Sequence, residues 1–117
     1  MQNNRIAVTS LGGSGEEARN CFLLEAGNHA VLLDCGVRRE ALGAFDHVYP
    51  ALTREIAGRL TAVFLSHAHE DHVAALPYLY ELGYRGNVYG TEETIRLAGG
   101  FMKKWVDFVA AAGGRFP

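Results

Sequence analysis

Residues 65–79 read LSHAHEDHVAALPYL, so three of the chain's five histidines fall within six positions, together with two acids. His67, His69 and His72 offer imidazole nitrogens and Asp71 a carboxylate, a donor set that suits Zn²⁺. The loop follows the apolar run Thr61–Leu65 (TAVFL), so its first part leaves a strand in an extended conformation. Residues two apart on an extended chain point to the same side, which lets His67 and His69 grip one ion together. Asp71 and His72 come where the backbone must turn, and can aim at a second ion beside the first. Two neighbouring metals can share a hydroxide and clamp a substrate oxygen. Surface histidines also cluster by chance, and a lone histidine is usually structural. Three in six positions, with an acid among them at the end of a buried strand, select metal binding. Glu70 is read as solvated, and His29 (in a hairpin turn) and His47 (in AFDHVYP) as bystanders.

The elements that must position this loop are legible in outline. Arg5–Leu11 (RIAVTSL) reads as a first strand, broken by Gly12-Gly13-Ser14-Gly15. That glycine loop lacks the downstream Lys-Ser/Thr of a phosphate-binding P-loop, so tight turning accounts for it better. Cys21–Glu25 (CFLLE) and Ala30–Asp34 (AVLLD) are continuous apolar runs joined by a short turn, which predicts a hairpin covered on both faces. Pro50–Leu60 has helical spacing, Pro77–Leu82 predicts a short helix, and Asn87–Tyr89 a short strand. Thr91 is a good N-cap, with Glu92 and Glu93 matching the helix dipole. Phe101, Trp105, Phe108, Val109 and Ala112 then line one apolar helix face. Strands alternate with helices, so the fold class is α/β or α+β.

Composition sets the bounds. At 117 residues, 49% hydrophobic and 21% charged, this is one ordinary globular domain at most. No apolar run approaches a membrane span, so no membrane partner is expected. The net charge of −2 argues against holding nucleic acid by electrostatics alone. Cys21 and Cys35 are too few for a disulfide scaffold, which points to the cytoplasm. They fall nearly opposite each other about the hairpin turn and are read as buried small residues, with oxidative pairing as the alternative.

The pattern HxHxDH after an apolar strand resembles the metal loop of the metallo-β-lactamase superfamily. Its neighbourhood narrows the likeness: SLGGSGEEARNCFLLE, VLLDCG, LSHAHEDHVAALPYL and YGTEETIRL are similar to the opening of ribonuclease J and the beta-CASP nucleases. HxHxDH alone would fit thioesterases, glyoxalase-type enzymes and lactamases equally well; the LPYL tail tilts the reading toward nucleases. The resemblance implies the N-terminal part of an αββα sandwich, with two Zn²⁺ in a complete site and phosphodiester hydrolysis by a metal-bound hydroxide. By it, His67 and His69 correspond to ligands of one zinc, and Asp71 and His72 to ligands of the other and to catalytic residues. Asp34 corresponds to a family aspartate near the loop, read as orienting the ligand histidines through their other ring nitrogens, with a strand-end residue bonding a turn as the alternative.

A dinuclear site of that family also needs a third histidine for the first zinc, a bridging aspartate and a late histidine. After His72 the sequence has no histidine, and its one later aspartate, Asp107, lies in a helical pattern. The resemblance therefore implies an N-terminal half without its second half or its beta-CASP insert, inactive in isolation. RNA is the expected partner of the parent protein, with Arg38 and Arg39 the best local candidates for phosphate contact. Half of such a sandwich leaves a sheet face open, so a homodimer is expected, with the aromatic C-terminal helix folding back over that face as the alternative. A hydrolase of a small ester, thioester or lactam is the competing enzyme reading, and a non-catalytic self-associating module the third.

Overall fold

The computed structural model describes residues 5–13, 18–38 and 48–111. Its strands are β1 (Ile6–Gly12), β2 (Cys21–Ala26), β3 (His29–Leu33), β4 (Ala62–Phe64) and β5 (Asn87–Tyr89). Its helices are α1 (Arg54–Arg59), α2 (Glu70–Val73), α3 (Leu76–Glu81) and α4 (Glu92–Ala111). The strands form one sheet in the order β1-β2-β3-β4-β5. β1, β2 and β3 pair antiparallel, because β2 and β3 are joined by a two-residue turn whose Gly27 takes φ +60°. β3, β4 and β5 pair parallel, since the chain returns through α1 and then through α2 and α3.

The helices share one core with one face of the sheet. Leu23, Leu32 and Val63 meet Ala57 of α1, Val73 of α2, Leu79 of α3 and Ala98, Trp105 and Val109 of α4. Trp105 is fully buried, and its indole N–H donates to Tyr49 Oη at 3.3 Å. The hairpin is thus not covered on both faces as its unbroken apolar runs predict. Cys21, Leu23, Ala30 and Leu32 are buried, whereas Phe22, Leu24, Val31 and Leu33 on the opposite face are only half-buried. On that face Ile6, Val8, Phe64 and Tyr89 are 65%, 63%, 43% and 47% exposed. The physical reason is topological: every helix among the described residues contributes to the core on the other side. The aromatic helix does not fold back over the open face.

Two helix boundaries also differ from the sequence reading. α1 starts at Arg54 rather than Pro50 because Thr53 caps it, its Oγ1 accepting from Ile56 N at 3.1 Å. The Thr91 segment and the aromatic segment form a single helix that runs through Gly99 and Gly100. Each glycine costs about 1 kcal/mol in a helix interior. Ala98 before the pair and Trp105 and Val109 after it are buried in the core, and that burial holds the helix together across it. No helix among the described residues is long and apolar enough to cross a membrane.

Candidate metal centre

The histidine loop is held by the chain that follows β3. Asp34 N donates to Phe64 O at 2.8 Å, extending the β3–β4 pairing by one step. Cys35 N donates to His72 O at 2.7 Å, Val37 N to Glu70 O at 3.2 Å, and Ala75 N to Cys35 O at 2.9 Å. Residues 34–37 therefore lie directly beside residues 70–72. Gly36 makes that approach possible: a Cβ there would sit 1.8 Å from the carbonyl oxygen of Asp71. Asn20 braces the same point, with its backbone N and its Nδ2 both donating to Asp71 O, at 3.0 and 3.1 Å.

Asp34 is the one buried charged residue among the described residues, and its backbone is left-handed at φ +62°. Asp tolerates that region better than most residues. Its carboxylate accepts from Ser66 N at 2.8 Å, Ser66 Oγ at 2.6 Å and His72 Nδ1 at 3.0 Å. Burial alone would push the carboxyl pKa up, but the bonds from His72 and Ser66 outweigh it and hold Asp34 below the usual carboxylate value. The bond to Asp34 raises the His72 imidazole above its ordinary value despite partial desolvation. With the Nδ1 proton directed to Asp34, neutral His72 keeps its lone pair on Nε2.

The candidate donors come in two pairs. His67 Nε2 and His69 Nδ1 converge to 2.6 Å, close enough for one ring to donate and the other to accept a shared proton. His72 Nε2 stands 3.5 Å from Asp71 Oδ2. The pairs adjoin, with the His67 and His72 rings 5.2 Å apart between centroids. Among the described residues, no three His, Cys, Asp or Glu side chains converge on one point. Imidazole and carboxylate are donor types that suit Zn²⁺.

The remaining sequence candidates separate from this cluster. Glu70, read as solvated, is half-buried, and its backbone carbonyl accepts from Val37 N. Arg38 is half-buried, with its backbone N donating to Val48 O at 2.9 Å. His29 opens β3, at the opposite end from Asp34, and Asp107 pairs with Lys103 on α4 at 3.0 Å. Arg39, His47 and Ala112 lie outside the described residues. Cys21 and Cys35 are buried free thiols, and burial with the neighbouring Cys35 thiol pushes Cys21 up. Sequence reasoning gave Ser66, Asn20 and Gly36 no supporting role, although Asn20 lies inside the quoted motif SLGGSGEEARNCFLLE and Gly36 closes VLLDCG.

The sequence pattern of the metallo-beta-lactamase superfamily matches residues 14–112. The chain belongs to that superfamily. Members of the metallo-beta-lactamase superfamily are metal-dependent, usually through zinc. The chain is 36% identical over 115 residues to transcription termination factor FttA of Methanosarcina mazei, a match covering 96% of this chain and 18% of that protein. It is 33% identical over 99 residues to ribonuclease J of Helicobacter pylori, covering 80% of this chain and 14% of that one. The likeness to ribonuclease J read from the motifs is thus borne out, and the chain spans less than a fifth of the length of these two relatives. Among solved structures, the metallo-beta-lactamase fold protein YhfI of Bacillus subtilis superposes with a TM-score of 0.53 at 27% identity. That match covers 78% of this chain and 38% of YhfI.

Proposed function

We propose that this chain is the N-terminal metal-binding segment of a zinc-dependent nuclease that hydrolyses phosphodiester bonds in RNA. One observation carries the reading: two adjacent donor pairs in a single loop, one of them oriented by a buried carboxylate. In this reading His67 and His69 hold one ion, Asp71 and His72 hold the other, and Asp34 fixes His72 with Nε2 free. Zinc bound there supplies Lewis acidity, which acidifies water and offsets the negative charge of a phosphodiester. RNA is favoured by the names of the relatives, a ribonuclease and a transcription termination factor. Arg38 and Arg39 remain the local candidates for phosphate contact.

The test is RNA cleavage by the full-length polypeptide that carries this segment, with His67→Ala and a chelator each expected to abolish it. Turnover of an ester, thioester or lactam with RNA left intact would favour the other hydrolase reading. For the 117-residue chain alone, two donors per ion predict weak, substoichiometric zinc binding that His67→Ala removes. Calorimetry reporting two tightly bound zincs per chain would overturn that expectation.

The reading extends to assembly. The open sheet face presents Ile6, Val8, Phe64 and Tyr89, with the last two rings stacked at 5.4 Å. Leaving side chains of this size in water forgoes about 1.5–3 kcal/mol each, and apolar patches of this kind usually become interfaces. A second copy about a twofold axis would cover the face. The isolated chain is therefore expected to dimerise at micromolar concentration; a clean 12.7 kDa species by light scattering would refute this.

A further inference from the structure

Asp34 orients His72, but among the described residues no carboxylate does the same for His69. What His69 meets instead comes from far along the chain. The ring of Phe101 on α4 lies 4.8 Å from the His69 ring, centroid to centroid, at an interplanar angle of 71°. That edge-on arrangement is a favoured one for aromatic pairs. Lys104, nearly one helical turn on, places its ammonium 5.1 Å from the centroid of the same Phe101 ring, within cation–π reach. The helix is anchored in the core as well as packed against α2 beside the loop: Ala98, Trp105 and Val109 are buried, and Trp105 bonds Tyr49. A ring on a fixed helix therefore meets an imidazole that is otherwise solvent-exposed.

We infer that Phe101 is a positioning residue for His69, holding the imidazole so that Nδ1 faces Nε2 of His67. The inference rests on the reading of His67 and His69 as a ligand pair. Without the ring, His69 is free to rotate about χ1 and χ2, and the pair must be ordered anew each time an ion arrives.

The experiment uses the purified chain and reads Zn²⁺ affinity by competition with a chromophoric chelator, alongside the visible spectrum of the Co²⁺ form. Phe101→Leu is expected to weaken Zn²⁺ binding about tenfold and to change the Co²⁺ spectrum, as loss of a ligand-orienting partner does. Phe101→Tyr, which keeps the ring, is expected to restore both. Emission of Trp105 reports whether α4 stays docked; should leucine undock it, Phe101→Met takes its place and must show the same loss. Unchanged affinity in docked Phe101→Leu, with His69→Ala clearly weaker, would overturn the inference while leaving the ligand pair intact. Binding indifferent to both His67→Ala and His69→Ala would remove the ligand pair itself, and the role of Phe101 with it.

Discussion

Gly36→Ala is expected to destabilise the chain by about 4 kcal/mol or more, at the extreme of single substitutions. The reason is steric and local. An alanine Cβ at position 36 would lie 1.8 Å from Asp71 O, 2.1 Å from its carbonyl carbon and 2.6 Å from His72 N. All three are backbone atoms, so no rotamer change relieves the overlap. The 34–37 segment must part from α2, losing the bonds from Cys35 N to His72 O and from Val37 N to Glu70 O. Asp34 and His72 would separate with it. Gly58 is the control, since a Cβ there meets nothing within 4 Å. Urea denaturation compares the two variants, and a Gly36→Ala protein within about 1 kcal/mol of wild type would refute the packing described above.

Asp34→Asn is expected to lower stability by about 2–3 kcal/mol and any zinc affinity by about 10- to 100-fold. Asparagine tolerates the left-handed backbone at position 34 as aspartate does, so the change isolates the charge. Its amide cannot accept from Ser66 N, Ser66 Oγ and His72 Nδ1 at once, because one of its two heavy atoms is itself a donor. The stability difference carries a pH signature. Asp34 is lowered in the folded chain, so its contribution is present above about 3.9 and is lost as pH falls through the folded value. His72 is raised, so its contribution is present below about 6.5 and is lost as pH rises through its folded value. The metal-free chain should therefore lose most on substitution between about pH 4 and 6.5. Any zinc affinity of the unsubstituted chain would instead rise with pH, since zinc takes neutral imidazole and a raised His72 holds its proton as pH falls. A stability difference constant from pH 4 to 9 would show that the Asp34–His72 pair does not form.

Several features could be read directly because they belong to neighbouring residues. The donor pairs of HxHxDH, the Gly27 turn, the Thr91 cap and the alternation of strands with helices all depend on spacings of a few residues. Periodicity and side-chain chemistry act at that range, and the α/β class follows from them, while the family likeness rests on resemblance of the quoted motifs.

Contacts that span tens of positions were decided elsewhere. Asp34 meets Ser66 and His72 only because β3 and β4 are parallel neighbours, so that their C-terminal ends open on the same side. Gly36 is indispensable only because that geometry brings residues 34–37 against α2. Phe101 reaches His69 because the burial of Ala98, Trp105 and Val109 carries α4 past the loop. The sequence shows two apolar runs in the hairpin, but not that the helices of the described residues take one side of them and leave the other exposed. An apolar residue records that it must be covered; which segment covers it depends on sheet order and on the side each crossover takes.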